Sequence, residues 1–165
     1  MTEADHLVRI RPVRSSDHRA VMAIIDDWWG GRHMADMLPR LFFEHFTETS
    51  FAAERDGELV GFLVGFLSQS RRGEAYIHFV GVHPAERGRG LGRQLYQRFF
   101  AAAQARGATL VRAVTAPVNH GSVRFHQQLG FSIELGDGQV DGIPVATGYD
   151  GDGQDRVRFT KHLTS

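Results

Sequence analysis

Val80-Gly81-Val82-His83-Pro84-Ala85-Glu86-Arg87-Gly88-Arg89-Gly90-Leu91-Gly92-Arg93-Gln94-Leu95-Tyr96 runs from an apolar stretch through a glycine-rich turn into a segment of helical periodicity. Gly88, Gly90 and Gly92 carry no Cβ, so the backbone there can curl and approach a ligand closely. The N–H groups of the following helix's first turn point into the same space, which makes an anion cradle suited to a phosphate or pyrophosphate. Two common phosphate binders are excluded by spacing. A dinucleotide fingerprint needs G-x-G-x-x-G, and here the third glycine comes one residue early; a P-loop needs G-K-[ST], and Arg93 stands in its place.

Upstream, Leu7 to Val13 partly alternates apolar and polar residues, as a half-buried strand does. Ser15, Ser16 and Asp17 offer N-cap oxygens to a helix running to about Trp29, where Gly30-Gly31 ends it. A second helix is expected over His33 to Phe46, interrupted or kinked at Pro39, which removes a backbone donor. Phe51 to Arg55, Asp56-Gly57 and Glu58 to Ser68 read as a hairpin, because Asp-Gly supplies the positive φ angles of a two-residue turn. Glu74 to Val82 is the next strand.

Downstream, Leu91, Leu95, Phe99 and Ala102/Ala103 recur at helical spacing until Gly107. Thr109 to Thr115 is apolar and β-branched, hence a buried strand. A helix from about Asn119 to Leu129 stops at Gly130, and Phe131 to Leu135 and Arg156 to Leu163 are the last strands. The order β-α-α-β-β-β-α-β-α-β-β, without repeats or low-complexity linkers, reads as one mixed α/β (α+β) domain over residues 1–165 with about four helices.

Two segments carry a family resemblance. Arg87, Gly90 and Gly92 form R-x-x-G-x-G behind a strand ending V-x-V-x-P, and Asn119, Ser122, Phe125, His126, Gly130 and Phe131 fill N-x-x-[SA]-x-x-[FL]-[YH]-x-x-x-G-F. With the element order, they resemble the GNAT superfamily of N-acetyltransferases. The resemblance implies a central mixed, mostly antiparallel sheet of six to seven strands splayed in a V, and acetyl-CoA (coenzyme A) as acyl donor. It implies that the pantetheine arm pairs with strand backbone at Phe79, Val80 and Val82, as an added peptide strand would. The pyrophosphate then falls on the N–H groups of Arg87, Gly88, Arg89, Gly90, Leu91, Gly92 and Arg93, with Arg87, Arg89 or Arg93 adding charge-assisted contacts. Asn119, with Ser122 nearby, is the expected partner of the pantetheine arm; an N-cap role for Asn119 is compatible with it.

Acetyl transfer to an alkylamine needs the amine uncharged, although such amines have a pKa of about 10.4. A base must take the proton, donors must hold the oxyanion, and the thiolate benefits from an acid. Glu74, Tyr76, His78, Val80 and Val82 share one strand face by the period-two rule. His78 matches one histidine of the arylalkylamine-type members, so it is the expected base, acting directly or through water, with Glu74 behind it and Tyr76 orienting substrate. At the family's usual acid tyrosine the chain has His126, an expected acid or sulfur-orienting donor against which a packed helix histidine stands as the competing reading. His83, at the strand's exit, is read as structural.

The formal net charge is zero, with nineteen residues of each sign, which gives no global attraction to nucleic acid or an anionic membrane. The basic residues are eighteen Arg and Lys161. Absence of cysteine excludes a thiol nucleophile, disulfides and Cys metal sites. The longest apolar run, Leu59 to Leu67, is too short to span a bilayer, and Met1 to His6 is acidic where a signal peptide would be basic, so a cytoplasmic location is expected. The remaining histidines, from His6 to His162, lack ligand spacing, and no metal is expected.

Acceptor choice is expected to rest on Trp28, Trp29 and Arg32, and on Gly136 to Asp155, a glycine-rich stretch with five aspartates and no Lys or Arg. The tryptophans would wall a pocket or face a cation, unless they are core packing; the aspartates would form an acidic lip, unless the loop is only solvated. Asp150 to Asp155 lacks the sixth-position glycine of a calcium loop. The reading reached is an acetyl-CoA-dependent N-acetyltransferase acting on the primary amine of a small molecule. The alternatives are a protein lysine or N-terminal acetyltransferase and a non-catalytic acyl-CoA-binding or sensing protein. A homodimer is left open.

Overall fold

The computed structural model describes residues 7–164; Met1 to His6, and with them His6 and the acidic N-terminal run, lie outside the described residues, as does Ser165. The elements are β1 (Arg9–Pro12), α1 (Asp17–Trp28), α2 (Leu41–His45), β2 (Phe51–Arg55), β3 (Glu58–Leu67), β4 (Glu74–Val82), α3 (Leu91–Ala105), β5 (Leu110–Thr115), α4 (His120–Gln128), β6 (Ser132–Ile133), β7 (Gly138–Val140), β8 (Ile143–Val145) and β9 (Val157–His162). Seven strands form one mostly antiparallel sheet in the order β1-β2-β3-β4-β5-β9-β6, and β7 and β8 make a separate hairpin. Among the described residues no helix is long and apolar enough to cross a membrane.

The chain divides into two compact units, residues 1–67 with 77–106 and residues 68–76 with 107–165, so β4 contributes to both. In the first, β1 pairs antiparallel with β2, and β2 with β3. The Asp56-Gly57 turn has φ of 52° and 79°, as the Asp-Gly signal predicts. α3 buries Leu91, Leu95, Tyr96, Phe99 and Ala103. It lies close to β3 because Gly61 has no side chain: a Cβ there would sit 3.1 Å from Leu91 and 3.4 Å from Leu95. A second core gathers Val21, Ile25 and Trp28 of α1 with Leu38, Phe43, Phe62 and Phe79. Each such large apolar side chain contributes roughly 1.5–3 kcal/mol on burial.

Two local expectations are corrected. The α1 N-terminus uses none of the predicted caps as a cap: Ser16 makes no side-chain cap bond, and Asp17 instead accepts from Arg14 N–H and the Arg11 guanidinium. Burial disfavours the Asp17 carboxylate, but these bonds outweigh it and hold its pKa below the usual range. The predicted helix over 33–46 is a 3₁₀ turn, Ala35–Met37, followed by the short α2. Pro39 divides them, and the residue before it, Leu38, is pushed out of helical geometry to φ −128° and ψ 73°.

In the second unit, β5 pairs antiparallel with β9, which also pairs with β6. The parallel ladder between β4 and β5 runs over Glu74, Ala75 and Tyr76 with Leu110, Val111 and Arg112. Val111, Val123, Phe131, Val157 and Phe159 are buried here. The stretch 136–155 is not an open loop. It folds into the β7–β8 hairpin, turned at Asp141-Gly142 with φ of 51° and 79°, and Ala146 bridges to Arg156.

Candidate active site

The cradle begins where β4 ends. His83 Nδ1 accepts from Ala85 N–H, capping the 3₁₀ turn Pro84–Glu86, which matches its structural reading. That turn is anchored from two sides. Arg55 donates to Glu86, a pairing that lowers the carboxyl's pKa, and Arg87 donates to the Trp28 carbonyl at 2.7 Å. Gly88 and Gly90 take φ of 80° and 83°, and a Cβ on either would meet nothing within 4 Å, so conformation requires glycine there while space does not.

Gly90 is the N-cap of α3 and has no side chain with which to cap it. The first-turn N–H groups at Leu91, Gly92 and Arg93 therefore lack an intrahelical acceptor and face outward. Gly92 lies inside the helix, so only two of the three glycines serve the turn by positive φ. Arg87, read as a phosphate ligand, spends one guanidinium nitrogen on Trp28; Arg89 and Arg93 are exposed.

Along β4 burial alternates strictly, with Ala75, Ile77, Phe79 and Gly81 inward and Glu74, Tyr76, His78, Val80 and Val82 half-exposed. In the first unit, His78 donates from Nε2 to the Met37 carbonyl at 2.7 Å, since a carbonyl only accepts. Its ring stacks on Phe42 at 4.4 Å with 7° between planes. Neither Met37 nor Phe42 was foreseen; Pro39 was the available signal, because breaking a helix leaves carbonyls without donors. The neighbouring Leu38 carbonyl is taken by His18 Nε2 in the same way.

Trp28 is 5% exposed, stacks with Phe62 and meets the edge of His83, while Trp29 tilts against Phe79. Trp28 is thus a packing residue of the first unit, whereas Trp29 packs on Phe79 and stays half-buried; Arg32 is exposed.

In the second unit, Glu74 is held by Arg112 and Arg71. Arg112 also pairs with Glu134, which pairs with Arg158. A carboxylate in such a ladder is a structural partner, not a reserve base behind His78. Burial, with help from Tyr149 and Asp150, pushes the Tyr76 hydroxyl up to about 12, so it stays protonated as an orienting donor must. Asp150 is paired with Arg156 at 2.7 Å, Asp155 accepts from Gly148 N–H, and Asp137 accepts from Thr147 N–H, which lowers its pKa. Three of the five aspartates thus hold the local backbone in place; Asp150 is offset by Arg156, while Asp137 and Asp155 keep their negative charge. Among the described residues no group of three or more His, Asp or Glu is arranged to hold a metal ion.

Asn119 caps α4, its Oδ1 accepting from Ser122 N–H at 3.1 Å. His126 is 5% exposed, stacks on Phe159 at 4.3 Å and donates from Nδ1 to the Ser122 carbonyl at 2.7 Å. Burial lowers its pKa, so the ring is neutral at pH 7 and its Nε2 carries a lone pair, not a proton. This geometry fits a packed, helix-bracing histidine better than a standing proton donor.

An L-2,4-diaminobutyric acid acetyltransferase of Nocardia farcinica is 34% identical over 83 residues, covering 50% of this chain and 43% of its own length. The chain spans about half the length of the curated relatives it matches. Among solved structures, a GNAT-family protein of Desulfovibrio desulfuricans superposes with a TM-score of 0.79 at 21% identity, covering 96% of this chain and 100% of that one. The diaminobutyrate acetyltransferase of Paenibacillus lautus, solved with L-2,4-diaminobutyric acid and coenzyme A, superposes at 0.72 with 18% identity over 97% and 98% of the two chains. Residues 18–131, which hold β4, the glycine turn and α3, match the acetyltransferase (GNAT) family, and the chain belongs to it.

Proposed function

We propose that this protein is an acetyl-CoA-dependent N-acetyltransferase that passes the acetyl group directly to the primary amine of a small molecule, with diamino acids the first class to try. The observation that carries it is the uncapped α3 N-terminus behind the left-handed Gly88 and Gly90, a donor array fitted to a pyrophosphate. Arg89 and Arg93 supply positive charge beside it. The β4 backbone from Phe79 to Val82, just before the glycine turn, suits pairing with the pantetheine amides.

Acetyl-CoA supplies the activated thioester; the chain's task is to bind it, present the amine and remove a proton. His78 is the base, held by Met37 and Phe42. Tyr76, protonated, orients the acceptor. Asn119 keeps its side-chain N–H₂ for the pantetheine arm while its oxygen caps α4, and Ser122 supports His126. The diaminobutyrate acetyltransferases among the relatives support a small amino-acid-like acceptor. Residues 1–165 act as one acetyltransferase domain, and a cytoplasmic setting accords with an acyl donor made inside cells.

The test is to incubate the protein with acetyl-CoA and a mixture of diamino acids, polyamines and a peptide with a free N-terminus, and to identify products by mass spectrometry. Acetylated small amines are expected. Acetylation of the peptide alone would replace this reading by a protein acetyltransferase, and no product with any amine by a non-catalytic acyl-CoA-binding protein.

A further inference from the structure

Pro39 gives the segment before it an unusual property. It has no N–H to donate and forces Leu38 out of helical geometry, and the amides of Phe42 and Phe43 bond the Pro39 and Arg40 carbonyls, so the Met37 and Leu38 carbonyls are left to side-chain donors. Two histidines from distant positions occupy them, His18 at Leu38 and His78 at Met37. At His78 a second restraint operates: the Phe42 ring lies flat against the imidazole, while Phe79 meets it at 6.4 Å. A half-turn of the ring about χ2 would keep the stacking but replace Nε2 by Cε1 at Met37, losing that bond.

We infer that the Met37 carbonyl and the Phe42 ring are positioning groups that lock His78 as its Nε2–H tautomer, so that the proton of the acceptor amine is taken at Nδ1. This rests on His78 being the base. In the step, one N–H bond of the acceptor ammonium breaks and its electron pair stays on the amine nitrogen. The Nδ1 lone pair of His78 forms the new N–H bond, and the resulting imidazolium keeps Nε2–H on Met37. The proton leaves Nδ1 to solvent water after transfer. A ring in the opposite tautomer would lose the Met37 bond and present an N–H, not a lone pair, to the amine.

Long-range proton–nitrogen correlation NMR of the full chain, on the alkaline side of the imidazole titration, reads the tautomer directly. His78 is expected with a protonated Nε2 and a pyridine-like Nδ1. A dominant Nδ1–H form would overturn the inference while leaving His78 as base untouched. Phe42→Leu, with the His18 resonances as a check on folding, should mix the two tautomers and lower kcat about tenfold at unchanged KM for acetyl-CoA; an unmixed tautomer with full kcat would remove Phe42 from the assignment. His78→Gln keeps a donor for Met37 and loses the proton acceptor, so full turnover in that variant would sink the base reading itself and the proton's route with it.

Discussion

Two histidines of this chain face opposite ways chemically. His78 donates through Nε2, and His126 through Nδ1 to its own helix. The first is half-exposed on the polar face of a strand; the second is sealed against Phe125, Phe131 and Phe159. Their substitution should separate. His78→Ala is expected to lower kcat by about 10²–10⁴-fold with acetyl-CoA binding kept, as loss of a general base does; steady-state kinetics with a parallel binding titration checks it. His126→Phe should retain most of kcat and change pH stability instead. A histidine whose folded pKa is depressed binds its proton in the unfolded chain first, so stability is full above the unfolded value near 6.5 and falls as pH drops below it, by at most about 1.4 kcal/mol per pH unit. Denaturant melts at several pH values should show that loss in the native protein and its absence in His126→Phe.

Elements were legible wherever local chemistry alone fixes them. The Asp56-Gly57 hairpin, the β4 span and the α3 periodicity all lie where the pattern puts them, because positive φ, period two and period 3.6 are properties of neighbouring residues. The segment 136–155 carries the same Asp-Gly signal at Asp141-Gly142 but reads as a loop, because β7 and β8 have three residues each and the bonds that hold their flanks, such as Asp150 with Arg156, are not written in apolar alternation. The support of His78, whose partner Met37 is 41 residues away, was not legible either. The tryptophan pair read equally as pocket or core, and the packing of Trp28 on Phe62 and of Trp29 on Phe79 is set by residues distant in sequence. The same packing makes Gly81 informative. A Cβ there would lie 2.5 Å from Phe62 and 3.0 Å from Trp29, so Gly81→Ala should cost about 1–3 kcal/mol in a denaturant melt. Gly90→Ala meets no neighbour and should cost about 1–2 kcal/mol through its left-handed backbone, while raising KM for acetyl-CoA.

Over the whole molecule the charges cancel, and the exposed arginines near the glycine turn are a local feature on a neutral chain. Raising ionic strength should therefore raise KM for acetyl-CoA, whose phosphates those arginines meet. Initial-rate measurements at low and high salt check this. Family membership rests on residues 18–131, but catalysis requires that a bound acyl donor be turned over. The direct test is thiol release from acetyl-CoA, followed continuously across a panel of small primary amines that includes 2,4-diaminobutyrate. Amine-dependent release that saturates with the amine and collapses in His78→Ala is expected; tight acetyl-CoA binding with no amine-dependent release for any acceptor would contradict the assignment as an N-acetyltransferase.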